Sequence, residues 1–163
     1  MNAQKITVRP SLIVYDFDGV MTDNRVTVDE HGTEYVTVHR GDGYGVRMIK
    51  DSLHIPQIIL STEANPVVVR RAEKLKIPVI HNAGDSKADI LKKYLSENGF
   101  DPKNVMYIGN DLNDYDAMQL CGIKCCPSDA EPEITAAADY VFSARGGFGV
   151  IRELYRILSE ADK

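Results

Sequence analysis

The sequence has no tryptophan, no long apolar run and only three cysteines among its 163 residues. None of its apolar stretches approaches the roughly 18 residues that a membrane-spanning helix needs, and the first ten residues lack the apolar segment of a secretory signal. Cys121, Cys125 and Cys126 have neither the even count of a disulfide framework nor the paired spacing of a zinc site. We therefore expect a cytoplasmic protein whose cysteines are small packing residues.

An excess of positive charge is also missing. Lys and Arg number 19 against 24 for Asp and Glu, which gives a net charge of −5. This balance offers no basic field to attract nucleic acid or an anionic membrane surface, so neither is expected as a partner. The length fits one compact domain, which we place over residues 1–163, and leaves no room for a second catalytic domain.

Short apolar runs alternate with helical patterns along the whole chain. The runs show no polar alternation, which is typical of strands covered on both faces in a parallel sheet. Asn65, Asp85 and Asn113 are predicted helix N-caps. The alternation predicts an α/β fold with a doubly wound parallel sheet, whose ligand site lies beyond the carboxyl ends of the strands. The predicted strands contain LIVYD, IPQIILS, IPVIH, VMYIG, IKCCP and DYVF.

One segment departs from this pattern. RVTVDEHGTEYVTVH, residues 25–39, alternates apolar and polar residues around a turn rich in Asp, Glu, His and Gly. Such alternation around a polar turn predicts a β-hairpin, inserted here between the first strand and the first helix.

Two carboxylates directly follow the first predicted strand. Asp16 and Asp18 are two residues apart, so both can face one site. Like charges this close are tolerated mainly when a cation neutralises them or one of them stays protonated. Mg²⁺ prefers one or two carboxylates and keeps its other positions for water and phosphate oxygens. A calcium loop is the alternative, but Thr27 occupies the twelfth position, where such a loop has Glu.

A second set of polar side chains is expected at the same edge of the sheet. GNDLND follows a later strand and brings Asn110, Asp111 and Asp114 towards the same metal. Ser61 ends another strand with a hydroxyl, and Lys87 lies at the start of a helix. A hydroxyl, an ammonium and a helix N-terminus together can hold a phosphate.

These motifs, in this order, resemble the haloacid dehalogenase superfamily of phosphotransferases over essentially the whole chain. DFDGVMTD, the hydroxyl in ILSTE, Lys87 and GNDLND carry the resemblance. It implies that Asp16 is a nucleophile that forms an aspartyl-phosphate, and that Asp18 protonates the leaving group and then activates water. Ser61 and Lys87 would hold the phosphoryl oxygens. The implied Mg²⁺ ligands are Asp16, Asp18, Asn110 and Asp111, supported by Asp114.

Within the superfamily, the short length, the hairpin and the late segment ARGGFGVIREL resemble the capless group that dephosphorylates 3-deoxy-2-ulosonic sugar acids. This group includes 3-deoxy-manno-octulosonate 8-phosphate phosphatase and the nonulosonate 9-phosphate phosphatases of sialic acid biosynthesis. Related domains are fused to acylneuraminate cytidylyltransferases. The resemblance implies a sugar-acid phosphate as substrate, no cap domain, and a homotetramer in which a neighbour's hairpin covers each active site.

Four further residues are candidates for substrate binding. Glu63 stands where octulosonate enzymes tend to have Arg, and Lys74 in RRAEKLKI resembles the nonulosonate branch, so a nonulosonate 9-phosphate is the preferred substrate. Glu63 could equally favour the start of the helix near Asn65. Arg145 suits the carboxylate or phosphate of the substrate, although its glycine-rich segment could simply form a turn. Asp42 is expected at the mouth of the site.

One motif departs from the family pattern. The fourth motif usually begins Gly-Asp-Asp and here reads Gly109-Asn110-Asp111. An amide oxygen can still bind Mg²⁺, so weaker binding is one interpretation. The other is an impaired phosphatase domain that serves as an oligomerisation partner of an acylneuraminate cytidylyltransferase. Two other phosphate-handling classes fit the sequence less well. A receiver domain would carry its phosphate acceptor on a later strand, and a phosphomutase would need a cap domain.

Overall fold

A parallel sheet of six strands runs through the part of the chain that the computed structural model describes, which is residues 6, 8–81 and 86–161. In chain order, the strands are β1 (Leu12–Tyr15), β2 (Thr22–Val28), β3 (Glu34–Val38), β4 (Gln57–Leu60), β5 (Val79–Ile80), β6 (Val105–Ile108), β7 (Ile123–Cys126) and β8 (Tyr140–Val141). All except β2 and β3 belong to the parallel sheet, in the order β5-β4-β1-β6-β7-β8. The sheet predicted from the apolar runs is therefore confirmed.

Helices cover both faces of this sheet. They are α1 (Arg40–Leu53), α2 (Val67–Leu75), α3 (Lys87–Asn98), α4 (Tyr115–Leu120), α5 (Pro132–Ala137) and α6 (Val150–Ala161), with 3-10 turns at Pro102–Asn104 and Leu112–Asp114. None of the described helices is long and apolar enough to cross a bilayer.

Alternate side chains of β1 pack into two separate cores. Ile13 and Tyr15 join the core that includes residues of α1 and α6, whereas Leu12 and Val14 join the core that includes residues of α3, α4 and α5. Because successive side chains of a strand point to opposite faces, β1 must be apolar at every position. This is why the run LIVY shows no polar alternation.

The hairpin predicted over residues 25–39 is formed by the antiparallel pair β2 and β3. β2 begins at Thr22, three residues earlier than predicted, and the pairing register shifts between Thr22 and Val26. The Asp29 carboxylate orders the turn by accepting the main-chain amides of His31 and Thr33, each at 2.9 Å. The hairpin is thus a two-stranded sheet separate from the main one.

The starts of the helices differ in part from the predicted caps. The N-cap of α2 is Pro66 and not the predicted Asn65, although Asn65 Oδ1 accepts the amide of Val67, the first residue of this helix, at 3.0 Å. The prediction for Asn113 is wrong, because it lies inside a 3-10 turn that Asp111 caps. Asp85 lies outside the described residues. The six residues of α5 were not predicted as a helix, because so short a segment shows no helical period.

Candidate active site

Three of the predicted site residues follow strands that are neighbours in the sheet. Asp16 follows β1, Ser61 follows β4, and Asn110 lies two residues beyond β6. Since β1 lies between β4 and β6 and all three are parallel, their carboxyl ends meet at one edge. All three side chains are buried. The topology therefore brings these residues to one edge of the sheet, as the sequence predicts.

Lys87 is the buried cation of this edge. It is the first residue of α3, and only 1% of its surface is exposed. Its ammonium lies 2.8 Å from Asp16 Oδ1 and 2.7 Å from Asp114 Oδ1. Burial lowers the pKa of Lys87, but the charges of Asp16 and Asp114 outweigh it and leave the pKa above its ordinary value. Lys87 is therefore charged and fixed between two carboxylates.

Asp114 holds Lys87 on the side away from Asp16. Its Oδ1 also accepts the hydroxyl of Tyr107 at 2.7 Å, and its Oδ2 accepts the main-chain amides of Asn110 at 2.9 Å and Asp111 at 3.3 Å. With Lys87, these contacts use all four lone-pair sites of the carboxylate. Asp114 therefore supports Lys87 and has no acceptor to spare. The sequence did not reveal Tyr107, because it lies within an apolar strand.

The Asp16 carboxylate is held by its own turn as well as by Lys87. Oδ1 accepts the amide of Phe17 at 2.7 Å, so Oδ2 is the oxygen turned towards Asn110. Burial and the Asp114 charge raise the pKa of Asp16 well above its ordinary value, and Lys87 opposes both effects. A divalent cation beside the same carboxylate would favour the ionised form further. Asp16 is thus a buried carboxylate whose ionisation depends on neighbouring cations.

Asp18 is partly exposed and is held by Thr22. Its Oδ1 accepts the Thr22 hydroxyl at 3.2 Å, and that hydroxyl oxygen accepts the amides of Gly19 and Asn24, also at 3.2 Å. Burial raises the pKa of Asp18, Thr22 opposes this, and the Glu63 charge adds to it. A raised pKa suits a group that must carry a proton before it donates one. Thr22 lies within the motif DFDGVMTD but was not among the predicted site residues.

Three polar groups converge where the motifs predict a metal. One end of the Asn110 amide lies 2.8 Å from the main-chain oxygen of Asp18 and 3.2 Å from Asp16 Oδ2. Adjacent oxygen ligands of an octahedral Mg²⁺, with bonds of about 2.0–2.1 Å, lie about 2.9 Å apart, so this spacing fits the ion. No three His, Cys, Asp or Glu side chains gather into a metal cluster among the described residues. The donor set that fits Mg²⁺ is therefore mixed: a carboxylate, a main-chain oxygen and an amide oxygen.

Two of the predicted metal ligands differ in geometry from the prediction. Asp18 turns its main-chain oxygen towards Asn110, while its carboxylate accepts Thr22. Asp111 Oδ1 accepts the amide of Leu112 at 2.6 Å and caps the 3-10 turn. The Asp111 carboxylate thus belongs to the turn, and its nearest contacts do not include Asp16.

Gly19 makes room for the Asn110 amide. It has a φ of +81°, and a Cβ at this position would lie 2.0 Å from that amide. The segment around Arg145 packs on the same turn, since a Cβ at Gly146 would meet the main-chain oxygen of Gly19 at 2.0 Å. The Gly147 amide also donates to the main-chain oxygen of Val20 at 3.0 Å. Two chain segments therefore support the turn that carries Asp16 and Asp18.

Arg145 itself lies on this supporting segment and is largely exposed. Its Nε donates to Asp129 Oδ2 at 3.2 Å, and its guanidinium lies 6.0 Å from the ring centroid of Phe148. Exposed ion pairs of this kind are weak, so a carboxylate or phosphate could replace Asp129 as the partner. The structure thus brings Arg145 beside the site but pairs it with another residue.

A cavity of about 250 Å³ opens beside Asp18. Glu63 and Glu34 also line it, so three carboxylates face this space together with the apolar side chains of the hairpin and of α2. Glu34 Oε2 accepts Asn65 Nδ2 at 3.1 Å, which ties β3 to the segment that follows Ser61. Glu34 was not predicted as a site residue, because hairpin alternation does not show which residue faces the catalytic edge.

Asp42 connects the start of α1 to the start of α6. It is buried in the first turn of α1, and its carboxylate accepts the main-chain amides of Gly149 at 3.2 Å, Ile151 at 2.8 Å and Arg152 at 3.0 Å. These three bonds hold the start of α6. The contacts of Asp42 are thus structural, and its predicted role in substrate binding stays a prediction.

Lys74 lies at the end of α2 that is farther from the strand ends. It lies in the last turn of α2, which begins after β4 and runs back along the sheet. It lines a groove of about 810 Å³ between α1 and α2, which we call the basic groove. The other cations of the basic groove are Arg40, Arg47, Lys50, Arg71 and Lys76.

A buried carboxylate paired with a buried lysine, beside oxygen donors whose spacing fits Mg²⁺, lies at the strand ends of an α/β sheet. This arrangement is what a phosphotransferase class of enzyme needs. The model of the haloacid dehalogenase-like hydrolase family matches residues 48–154, and the chain belongs to this family. It is a phosphoric monoester hydrolase, and Mg²⁺ is the cofactor that such phosphatases use.

Individual relatives identify the group within this family. The 3-deoxy-D-manno-octulosonate 8-phosphate phosphatase of Salmonella typhi is 31% identical over 147 residues, which are 90% of this chain and 78% of that protein. A structure from Streptomyces avermitilis assigned to the same family has a TM-score of 0.91 at 41% identity, covering 96% of this chain and 90% of the other. The Moraxella catarrhalis 3-deoxy-D-manno-octulosonate 8-phosphate phosphatase, solved with magnesium, phosphate and KDO, has a TM-score of 0.89 at 28% identity, covering 95% and 88%. The resemblance to the capless 3-deoxy-2-ulosonate group is confirmed.

Proposed function

We propose that this chain hydrolyses a 3-deoxy-2-ulosonate phosphate with Mg²⁺, through an aspartyl-phosphate on Asp16. The observation that carries the proposal is the buried set of Asp16, Lys87 and Asp114 beside the Asn110 amide. Two buried carboxylates and one ammonium leave a net negative charge, which is costly to bury without a further cation. A Mg²⁺ ion would change this net charge from −1 to +1, which favours binding of the negatively charged phosphate.

The chain's own groups account for both chemical steps. The Asp16 carboxylate attacks phosphorus, the bond from phosphorus to the sugar oxygen breaks, and Asp18 gives that oxygen its proton. Asp18 then takes a proton from water as the water oxygen attacks phosphorus and releases Asp16. Bound Mg²⁺, held by Asp16, Asn110 and the main-chain oxygen of Asp18, would neutralise charge on the phosphoryl group.

Lys87 and Ser61 each keep a donor for the phosphoryl oxygens. An ammonium has three donors, and Asp16 and Asp114 use two of those of Lys87. Ser61 Oγ accepts the Glu63 amide at 3.1 Å, which leaves its hydroxyl hydrogen free to donate. Both groups are buried and fixed, so they can orient the phosphate without moving.

The cavity beside Asp18 supports a polyol as the leaving group. Glu34 and Glu63 can accept hydrogen bonds from hydroxyl groups, and their charge would repel a carboxylate. The sugar chain that carries the phosphate would therefore occupy the cavity, with its carboxylate directed elsewhere. Arg145 and, from a neighbouring copy, Lys74 are the cations that we propose for that carboxylate. An acidic Glu63 in this place favours a nonulosonate 9-phosphate over an octulosonate 8-phosphate.

Phosphate release tests this function. Wild-type protein with Mg²⁺ should release phosphate from N-acetylneuraminate 9-phosphate faster than from 3-deoxy-manno-octulosonate 8-phosphate, and Asp16→Asn should release none. Glu63→Gln should lower kcat/KM for the preferred substrate about tenfold, because it removes a charged acceptor. Glu73→Gln makes the same change on an exposed face of α2 and should have no effect. Wild-type protein that releases phosphate from neither substrate would refute the proposal.

Asn110 favours a second candidate, an impaired phosphatase domain that assembles with an acylneuraminate cytidylyltransferase. The motif position that it occupies usually carries the negative charge of an Asp, so its amide removes part of the attraction for Mg²⁺. This candidate predicts a stable complex with the cytidylyltransferase by light scattering, together with equal, background phosphate release from wild type and Asp16→Asn.

A further inference from the structure

We propose that Asn110 uses both ends of its amide: the oxygen binds Mg²⁺, and without the ion the nitrogen holds the same site together. The inference rests on the proposed function, because it concerns the metal of the same reaction. It assigns to Asn110 a role that an Asp at this position cannot perform, and so gives a physical reason for the departure from the family motif.

The contacts of the Asn110 amide carry this inference. The end that faces the site has two neighbours, the main-chain oxygen of Asp18 at 2.8 Å and Asp16 Oδ2 at 3.2 Å, and both are acceptors. With oxygen at this end, three oxygens face one another and need a cation between them. With nitrogen at this end, the same distances are two ordinary hydrogen bonds.

Exchanging the two ends needs almost no rearrangement. An amide's oxygen and nitrogen are similar in size, and a half turn about the last side-chain bond exchanges them while the backbone stays in place. Only 6% of the Asn110 surface is exposed, and the lack of a Cβ at Gly19 provides the space in which the side-chain amide lies. The main-chain amide of Asn110 donates to Asp114 Oδ2, and this hydrogen bond fixes the backbone while the side-chain amide turns.

An Asp at this position would behave differently in both states. A carboxylate has no hydrogen to donate, so in metal-free protein it would face Asp16 Oδ2 and the Asp18 oxygen with repulsion. With Mg²⁺ it would add a full negative charge to the ligand set and bind the ion more tightly. Asn110 therefore lowers the affinity for Mg²⁺ and keeps the metal-free site assembled.

Comparison of wild type with Asn110→Asp tests the proposal without any substrate. Titration calorimetry should show that Asn110→Asp binds Mg²⁺ at least about tenfold more tightly than wild type. In EDTA the variant should melt at a lower temperature than wild type, and added Mg²⁺ should raise its melting temperature more. Asn113→Asp makes the same change on an exposed turn residue three positions away and should match wild type in both measurements.

Two results would overturn the proposal. One is an unchanged affinity for Mg²⁺ in Asn110→Asp, and the other is a metal-free variant at least as stable as wild type. An Asn110→Ala variant separates the roles, since it should lose affinity for Mg²⁺ and also melt earlier in EDTA. Because none of these readouts involves turnover, a protein that releases no phosphate but shows the predicted metal response would contradict only the proposed function.

Discussion

Lys87 balances two buried carboxylates with one side chain, so the electrostatics of the site depend on it. Its ammonium contacts Asp16 and Asp114 at 2.8 and 2.7 Å, and all three groups are buried. Removing one partner of such an arrangement leaves buried charges uncompensated. The fold is then less stable than one with apolar side chains in place of all the charged groups. The role of Lys87 is therefore both structural and chemical.

Lys87→Met should destabilise the fold and abolish turnover. We expect a loss of about 3–5 kcal/mol in the free energy of unfolding, because two buried carboxylates lose their cation. Lys93→Met lies on the same helix, where the Lys93 side chain is 76% exposed, and should cost less than about 1 kcal/mol. Urea denaturation and phosphate release measure the two effects. Equal stability of both variants would contradict this account.

Gly19 and Gly32 form a matched pair at the same scale. Both have a positive φ, of +81° and +78°, but a Cβ at Gly32 would meet nothing within 4 Å. Gly32→Ala should therefore cost about 1 kcal/mol from the backbone alone and keep its activity. Gly19→Ala should cost more and weaken binding of Mg²⁺, because its methyl group would displace the Asn110 amide. Thermal melts with and without Mg²⁺ distinguish the two variants. Identical melting behaviour would show that a methyl group at position 19 does not displace the Asn110 amide.

At the scale of elements, Asp42 joins the start of α1 to the start of α6. Its three hydrogen bonds to main-chain amides satisfy donors that a helix start leaves unpaired. The Gly149 end of this connection continues into Gly147 and Gly146, which pack on the turn beyond Asp16. Asp42 therefore supports the catalytic turn through an intervening segment.

Asp42→Ala should lower the free energy of unfolding by about 2–4 kcal/mol, because it leaves several amides without an acceptor. Activity should fall as well, since the segment behind the catalytic turn loosens. Asp51→Ala removes an exposed carboxylate from the same helix and serves as the control. Hydrogen exchange at Ile151 and Arg152 should speed up in Asp42→Ala alone. Unchanged protection there would show that the connection is unimportant.

Much of the element scale was predictable from the sequence, and its exceptions have physical causes. Strands such as β1 are apolar throughout because both of their faces are covered. The apolar runs therefore predicted the parallel sheet. The strand-end positions of Asp16, Ser61 and Asn110 followed from the order of the motifs. The hydrogen bonds of Asp42 were not predicted, because bonds to amides 107–110 residues away leave no local sequence pattern. Tyr107 was missed because its hydroxyl acts within a buried strand.

At the scale of the whole molecule, the hairpin is the feature that indicates assembly. Val28 and Tyr35 are 56% and 57% exposed, and a two-stranded hairpin has little stability of its own. We propose the homotetramer implied by the family, with each hairpin covering the site of a neighbour and excluding water from it. The acidic turn of the hairpin, Asp29 and Glu30, complements cations such as those of the basic groove.

Val28→Asp should disrupt this assembly. A charge on the exposed apolar surface of the hairpin opposes its burial against a neighbour, so light scattering should report smaller particles. Turnover should drop with the loss of the covering hairpin. Val8→Asp introduces the same charge at a side chain that is 53% exposed and lies outside the hairpin, and it should change neither property. A wild-type protein that is monomeric at micromolar concentration would contradict the proposal.

The central claim is that Asp16 carries the phosphoryl group, and rapid acid quenching tests it most directly. Wild-type protein mixed with Mg²⁺ and a radiolabelled 3-deoxy-2-ulosonate phosphate should yield protein-bound label that hydroxylamine releases, as an acyl phosphate does. Asp16→Asn should bind the substrate and retain no label. Label that persists in Asp16→Asn, or turnover by wild type without any bound label, would contradict the account.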